Sequence, residues 1–179
     1  MIFEALSLSG AYRLLPEPMA DERGFFARTF CSKAFAEQGL NPDLRQCSIS
    51  FNTEKHTLRG MHLQLPPHEE AKLVRCTRGA SHHIILDLRK GSETYLASTG
   101  VDLSAEMRSS LYVPEGVAHG FITLEQNTEI FYQISKEYVP EAAMGVRWDD
   151  PAFRIDWPHA PATISERDND FPDFENELD

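Results

Sequence analysis

The chain has 179 residues, of which 17 are Lys or Arg and 28 are Asp or Glu, so its formal net charge is −11. A field of this sign repels polyanions, and we therefore expect neither nucleic acid nor an anionic membrane as a partner. The length suits one domain spanning residues 1–179, which can bury a core without disulfide or metal staples.

Cysteine usage and the ends of the chain predict the compartment. The three cysteines, Cys31, Cys47 and Cys76, are widely spaced and odd in number. This pattern is not a disulfide framework, and it favours a reducing environment. The chain shows neither an N-terminal secretory pattern nor an apolar run of membrane-spanning length, so the expected location is the cytoplasm.

In chain order, the first regular element is a short helix over residues 32–38, with Ser32 predicted as its N-cap and Gly39 as its end. From about residue 45 to 135, short apolar or alternating runs such as RQCSISFN and TEIFYQISK are separated by turn residues. This spacing indicates antiparallel β architecture, a sandwich or a barrel. We expect the segment 141–179 to wrap the β core as turns and loops, with a fraying acidic end.

Two motifs in the middle of the chain resemble the two-part pattern of the cupin barrel. They are GMHLQ at 60–64, followed by an acidic pair at 69–70, and PEGVAH at 114–119. A metal-binding cupin has two histidines in H-x-H, whereas Gln64 occupies the second position here, and a carboxamide is a poor ligand. A metal-dependent cupin enzyme therefore stays open only as an alternative. Its ligands would be His62, Glu69 and His119.

Ten blocks extend over almost the whole chain: DERGFF (21–26), RQCSIS (45–50), LRGMHLQ (58–64), AKLVRCTRG (71–79), LDLRKGSETY (86–95), YVPEGVAHGF (112–121), FYQISKEYVP (131–140), GVRWDDP (145–151), IDWP (155–158) and ISERD (164–168). In this order and spacing they resemble the dTDP-4-dehydrorhamnose 3,5-epimerase family of metal-independent cupins. The resemblance implies an all-β, cupin-type jelly-roll barrel with a few short helices and a C-terminal wrap. It also implies no cofactor, and a homodimer whose N-terminal strand reaches across to its neighbour.

The activity implied by the resemblance is epimerisation of a nucleotide-linked 4-keto-6-deoxyhexose in rhamnose-type deoxysugar biosynthesis. Such a reaction needs a base, a group that stabilises an enolate, and an acid on the other face of the sugar. The resemblance makes His62 the base, a role that suits an imidazole titrating near neutrality, and Asp168 the carboxylate that pairs with it. It makes Lys72 the cation near the ketone oxygen and Tyr132 the acid on the opposite face.

A substrate-binding set is implied in the same way. An arginine can fork onto phosphate oxygens, glutamine and serine can read a pyrimidine edge, and an aromatic ring can pack against the base or sugar. The implied residues are Arg23, Phe26, Gln46, Ser48, Arg59, His119 and Tyr138.

Three positions depart from the family pattern. His83 stands where the family has an aspartate and Arg28 where it has a glutamate, and we count both as substrate-binding candidates. The changes would narrow the reaction to one epimerisation, shift the substrate or abolish activity, so a non-catalytic sugar-nucleotide binder is the second alternative. Arg167 replaces the usual lysine and is expected to be benign. Because successive residues of a strand face opposite sides, one of His82 and His83 should point into the barrel.

Overall fold

The computed structural model describes residues 1–175, and β-strands dominate this part of the chain. The strands are β1 (Ile2–Ala5), β2 (Tyr12–Leu15), β3 (Met19–Asp21), β4 (Gly24–Phe26), β5 (Gln46–Asn52), β6 (Leu58–Gln64), β7 (Lys72–Arg78), β8 (Ala80–Asp87), β9 (Ser98–Ser104), β10 (Ser110–Val113), β11 (Val117–Thr123), β12 (Thr128–Ile134) and β13 (Ala143–Gly145). The helices are α1 (Ser32–Glu37), a 3₁₀ helix (Pro140–Ala142) and α2 (Glu166–Asn169). The expected all-β class with a few short helices is confirmed.

Two antiparallel sheets pack face to face. One has six strands in the order β1-β2-β10-β7-β12-β5, and the other has five in the order β13-β6-β11-β8-β9. Consecutive strands such as β6 and β7, or β10 and β11, lie in different sheets. This alternation is the jelly-roll connectivity of a cupin-type barrel. The hairpin β3–β4 forms a separate two-stranded sheet.

The main core lies between the two sheets because each strand turns alternate residues inward. Val74 and Ile130 come from the six-stranded sheet, and Ile85, Leu103 and Phe121 come from the five-stranded sheet. Each of these five residues is at most 1 % exposed. The two sheets therefore share one core.

The C-terminal segment covers the outer face of the five-stranded sheet. Val146 and Phe153 pack there against Met61, Ile84 and Leu86. The predicted wrap is thus present, but the expectation that it contains only turns and loops was wrong. β13 pairs with β6 and so covers the edge of that strand, and α2 follows further along.

Helix α1 lies on the outer face of the six-stranded sheet, where Phe35 packs near Tyr112. Its N-cap is Cys31, whose side chain makes no capping hydrogen bond, so the prediction of Ser32 as N-cap was wrong by one residue. The predicted end at Gly39 is confirmed, because this residue has a φ of +71° that glycine adopts without strain.

Within residues 1–175, no helix is long and apolar enough to cross a bilayer. The expected fraying at the acidic end concerns a segment whose residues 176–179 lie outside the described part of the chain.

Candidate active site

A cavity of about 310 Å³ lies between the two sheets and is lined from both of them. This volume is within the range of small-molecule sites. Eight residues expected from the sequence line it: Gln46, Ser48, Arg59, His62, Lys72, His119, Tyr132 and Tyr138. Residues that the sequence analysis did not assign also line it, among them Ser50, Gln64, Glu70, Phe121, Met144 and Arg167.

His62 and Asp168 form a hydrogen-bonded pair at this cavity. His62 Nε2 lies 2.7 Å from Asp168 Oδ1, although 106 positions separate the two residues. The other carboxylate oxygen accepts the Gly60 amide N–H at 3.0 Å. The Asp168 side chain is 6 % exposed, whereas that of His62 is 42 % exposed and therefore open to the cavity. With Nε2 held by the carboxylate, Nδ1 is the nitrogen of His62 left to exchange a proton.

The return of the C-terminal segment to β6 depends on local hydrogen bonds. Thr163 accepts the amide N–H of Leu58 at 2.8 Å, next to the start of β6. Ser165 then caps α2, because its Oγ accepts the Asp168 amide N–H at 3.1 Å. Gly60 has a φ of +122°, and a Cβ there would lie 2.5 Å from the β11 backbone. Only glycine fits this position. The amide N–H of Gly60 reaches the Asp168 carboxylate from there.

Asp168 is ionised at neutral pH. Its burial raises the pKa, but the hydrogen bond and charge of His62 and the hydrogen bonds from Gly60 and Ser165 outweigh this effect. The net pKa lies below the usual value of 3.8. A permanently charged acceptor therefore faces Nε2 of His62, and it stabilises the imidazolium when the ring gains a proton.

Lys72 is held by an acidic neighbour and by the backbone of β6. Its Nζ lies 2.8 Å from Glu70 Oε1 and donates to the His62 carbonyl oxygen at 3.2 Å. The side chains of Lys72 and Glu70 are 12 % and 6 % exposed. Because an ammonium has three N–H groups, one remains for a ligand in the cavity. Glu69 was the expected candidate in this region as a metal ligand, whereas Glu70 is the residue that lines the cavity.

Tyr132 lies on β12, directly opposite Ser48 of β5 and Val74 of β7. Burial raises the pKa of its hydroxyl, and the charge of Arg59 opposes the shift only in part. Tyr132 is therefore an O–H donor at neutral pH. Tyr132 and Lys72 belong to the six-stranded sheet, whereas His62 belongs to the five-stranded sheet. The candidate acid and base thus stand on opposite walls.

Polar groups for a nucleotide lie along β5 and its neighbours. Arg59 Nε donates to Asn52 Oδ1 at 2.8 Å, which orients the guanidinium at the cavity wall. Gln46 Oε1 accepts the Tyr138 amide N–H at 3.0 Å, and Tyr138 is 56 % exposed. The arrangement leaves the Gln46 amide N–H groups and the Tyr138 ring available to a ligand.

The N-terminal candidates lie elsewhere. Arg23 is in the turn of the β3–β4 hairpin, its side chain is 83 % exposed, and it pairs with Asp21. Phe26 is 64 % exposed, and Arg28 is exposed as well. None of these three expected substrate-binding residues lines the cavity of its own chain within residues 1–175.

The two adjacent histidines of β8 do face opposite sides, as predicted. His82 points outward, with Nδ1 2.6 Å from Asp102 Oδ1. His83 is fully buried and lies behind His119, with 2.9 Å between His83 Nδ1 and His119 Nε2. A direct substrate contact, as predicted for His83, does not fit this position. It reaches the cavity only through His119.

The ligand set of the metal alternative is not assembled. His62 and His119 each have Nε2 engaged by a neighbouring side chain, and Glu69 is not among the described residues that line the cavity. Gln64 Oε1 accepts the Val139 amide N–H at 2.6 Å, so this side chain holds a loop. In residues 1–175 no three His, Cys, Asp or Glu side chains converge as a metal ion requires.

Comparisons with known proteins identify the family of this chain. The family model dTDP-4-dehydrorhamnose 3,5-epimerase matches residues 5–176. The dTDP-4-dehydrorhamnose 3,5-epimerase of Sinorhizobium fredii is 39 % identical over 173 residues, which cover 96 % of this chain and 89 % of the relative.

The crystal structure of dTDP-4-dehydrorhamnose 3,5-epimerase from Elizabethkingia anophelis superimposes with a TM-score of 0.94 at 37 % identity, covering 97 % of this chain and 96 % of that one. ChmJ, a 3'-monoepimerase from Streptomyces bikiniensis solved in complex with dTDP-quinovose, has a TM-score of 0.85 at 29 % identity, with coverages of 94 % and 85 %. This chain belongs to the dTDP-4-dehydrorhamnose 3,5-epimerase family.

Proposed function

We propose that the protein epimerises a dTDP-linked 4-keto-6-deoxyhexose, of the dTDP-4-dehydro-6-deoxyglucose type, at both carbons that flank the ketone. This step belongs to rhamnose-type deoxysugar biosynthesis. The observation that carries the proposal is the arrangement of one cavity. The His62–Asp168 pair stands on one wall, and Lys72 and Tyr132 stand on the opposite wall. The activity named for the relatives and the dTDP-sugar bound to ChmJ support the substrate class.

The first step is removal of a proton from a carbon next to the ketone. His62 Nδ1 takes the proton, the C–H electron pair becomes the carbon–carbon double bond, and the carbonyl electrons move onto the oxygen as an enolate. Asp168 keeps the ring oriented through Nε2 and stabilises the imidazolium that forms.

Lys72 then stabilises charge that develops only during this step. The N–H that neither Glu70 nor the His62 carbonyl uses is available to the enolate oxygen. An interaction that strengthens as the oxygen becomes negative lowers the barrier, instead of only tightening substrate binding.

The second step returns a proton to the opposite face. Tyr132 donates its hydroxyl hydrogen to the carbon as the enolate collapses back to the ketone, which inverts the centre. The tyrosinate takes a proton from solvent, and the His62 imidazolium gives one to solvent. Atoms and charge therefore balance. Repetition at the other flanking carbon completes the double epimerisation.

Hydrogen exchange with solvent tests the proposal. Incubation of the protein with dTDP-4-keto-6-deoxyglucose in deuterated water is expected to place deuterium at both carbons next to the carbonyl, as located by NMR. His62→Asn should abolish exchange at both positions, whereas His82→Asn, a strand histidine outside the cavity, should leave it unchanged. Binding of the nucleotide sugar without any exchange would favour the non-catalytic binder. Label at one carbon would indicate a monoepimerase like ChmJ.

We further propose that the active enzyme is a homodimer in which the β3–β4 hairpin completes the neighbour's cavity. The hairpin pairs with no other strand among the described residues, and its Met19 and Phe26 are 66 % and 64 % exposed. Ile49, on the edge strand β5, is also 64 % exposed. Apolar surface of this kind favours burial against a partner. Arg23, Phe26 and Arg28 would then bind the substrate in the cavity of the neighbouring subunit.

Mixing inactive variants tests the shared site. Arg23→Ala and His62→Asn are each expected to be inactive or weak alone. After the two are unfolded together and refolded as a mixture, activity should reappear, because a heterodimer has one cavity with both residues intact. A monomer by light scattering, or a mixture with no recovered activity, would contradict the arrangement.

The remaining expectations concern the chain as a whole. We infer that residues 1–179 form one domain, because both sheets contribute to one core. We also infer that the protein works in the cytoplasm, since Cys31, Cys47 and Cys76 are all free thiols. The purified protein is expected to unfold in a single cooperative transition.

A further inference from the structure

A line of three hydrogen-bonded side chains leads from the core to the cavity wall. Ser81 Oγ lies 2.8 Å from His83 Nε2, and His83 Nδ1 lies 2.9 Å from His119 Nε2. Ser81 and His83 are fully buried, and His119 is 5 % exposed. Since Nε2 of His119 is engaged by His83, Nδ1 is the ring nitrogen that His119 has left for a ligand.

His119 stands between the candidate base and the candidate acid. It is directly opposite His62 in the pairing of β11 with β6. Directly opposite side chains of antiparallel strands have Cβ atoms about 5 Å apart. On its other side, the His119 ring centroid lies 6.3 Å from that of Tyr132. A sugar that contacts both His62 and Tyr132 must therefore pass His119.

Both buried histidines are uncharged at neutral pH. Burial lowers the pKa of His83 to about 3, and the charge of His82 acts in the same direction. Burial also lowers the pKa of His119 well below 6.5. The titratable groups that face His119 from the neighbouring strands are His83 on β8, His62 on β6, Lys72 on β7 and Tyr132 on β12. Within residues 1–175, no carboxylate is hydrogen-bonded to either buried ring.

Two neutral imidazoles that share one hydrogen bond have two arrangements. In the first, the Ser81 hydroxyl donates to His83 Nε2, His83 Nδ1–H donates to His119 Nε2, and His119 carries its hydrogen on Nδ1. In the second, every bond is reversed, and the Ser81 hydroxyl hydrogen must turn to the nearby sulfur of Cys76. A thiol sulfur is a weak acceptor, and a poorly paired buried donor is costly, so the first arrangement is favoured.

We propose that His83 is a positioning residue that holds His119 as an uncharged Nδ1–H donor aimed at an oxygen atom of the sugar. The identity of the ligand rests on the proposed function, whereas the position of the hydrogen rests on the geometry of the free protein. An uncharged donor next to His62 lets that base take up a proton without repulsion from a charged His119. The aspartate of the family pattern would instead favour a charged His119, so residue 83 decides whether this donor carries charge.

NMR of the free protein tests the position of the hydrogen. Two-bond ¹H–¹⁵N correlation spectra of ¹⁵N-histidine-labelled full-length protein, near pH 7, distinguish protonated from unprotonated ring nitrogens. Signals are assigned by their loss in His83→Gln and His119→Gln. We expect both rings to be neutral with hydrogen on Nδ1. A His119 that is doubly protonated, or that carries its hydrogen on Nε2, overturns the proposal.

Two variants test the line of bonds itself. Ser81→Ala should shift His83 and His119 towards a mixture of both arrangements and leave the His82 signals unchanged. Ser109→Ala removes a hydroxyl that is equally buried but has no hydrogen-bond partner among residues 1–175, and it should change neither ring. His83→Asp should make His119 doubly protonated near pH 7. If Ser81→Ala leaves both rings as they were, Ser81 does not direct them and the proposal fails.

Kinetics then test the use of the donor. We take the sugar oxygen that His119 meets to be that of the ketone, which gains charge in the proposed reaction. Ser81→Ala is therefore expected to lower kcat severalfold with little change in KM, whereas Ser109→Ala leaves both unchanged. A shifted hydrogen with an unchanged kcat would overturn the donor role. If the unaltered protein exchanges no deuterium into the sugar, the proposed function fails, and the NMR spectra still decide the position of the hydrogen on His119.

Discussion

The imidazole of His62 and the carboxylate of Asp168 lie 2.7 Å apart at the cavity. A second pair, His82 and Asp102, has almost the same separation, 2.6 Å, but projects from the outer side of β8. The two pairs share their chemistry and differ in position. The second pair is therefore a matched control for the first.

Asp168→Asn is expected to reduce kcat by about 10³-fold or more, because an amide neither holds the required tautomer of His62 nor stabilises its charged form. The initial rate of epimerisation, followed by NMR, measures the effect. Asp102→Asn should leave kcat within about twofold, since a surface substitution away from the site changes little. Equal losses of kcat in Asp168→Asn and Asp102→Asn would show that Asp168→Asn lowers kcat through the folding of the protein and not through the tautomer of His62.

Lys72→Met is expected to have two separable effects. It removes the charge proposed to stabilise the enolate, which should reduce kcat by about 10²-fold or more. It also leaves the buried Glu70 carboxylate without its cation, which should lower the free energy of unfolding by about 3–5 kcal/mol. Urea unfolding and initial rates on the same samples measure both.

A double variant separates the two roles of Lys72. Adding Glu70→Gln to Lys72→Met removes the unpaired charge, so most of the lost stability should return. The lost kcat should not return, because the ammonium group of Lys72 is still absent. Recovery of kcat together with stability would mean that Lys72 only supports the fold.

Stability should fall as the pH falls below about 6.5. In the unfolded chain His83 and His119 titrate near 6.5, whereas burial lowers the folded pKa of His83 to about 3 and that of His119 well below 6.5. Between these values the unfolded state binds protons that the folded state does not, so protons favour unfolding. By pH 5.5 the two residues together should cost about 3 kcal/mol relative to pH 8.

Urea unfolding at several pH values checks this slope. His83→Asn should remove about half of it, because one of the two buried titrating groups is gone. A free energy of unfolding that stays constant from pH 8 to 5.5 would refute the assignment of two neutral buried histidines.

Gly145→Ala should disturb the site from the C-terminal segment. A Cβ at Gly145 would lie 2.3 Å from the ring of Phe171 and 2.8 Å from the carbonyl oxygen of Met61. Phe171 follows α2, and its ring packs edge-on to His62 at 6.4 Å. We expect a loss of about 1–3 kcal/mol in stability from overpacking and a lower kcat, because Asp168 moves with this segment.

Gly91→Ala provides the control for this substitution. Apart from Gly91 itself and its two chain neighbours, no atom of residues 1–175 lies within 4 Å of a Cβ added at Gly91, so neither kcat nor stability should fall. Thermal unfolding and initial rates compare the two alanine variants. Unchanged kinetics in Gly145→Ala would show that the position of Phe171 does not matter for the pair at the cavity.

Local patterns predicted the parts of the structure that depend on neighbouring residues. Period-2 alternation predicted the all-β class and the opposite orientations of His82 and His83, because a strand imposes both directly. The same reasoning missed Glu70. β7 begins at Lys72 and the preceding residues have no strand period, so the choice between Glu69 and Glu70 could not be made from spacing.

The pattern of strands, the resemblance to a family and the residue types available for proton transfer can all be read from the amino-acid sequence. Which of them meet follows from the tertiary structure: Asp168 reaches His62 by the return of the C-terminal segment, His83 lies behind His119, and Arg23 does not line the cavity of its own chain within residues 1–175. Periodicity encodes the direction of a side chain from its own backbone. The distance between residues far apart in sequence follows from the path of the chain, which is set by the burial of the whole core.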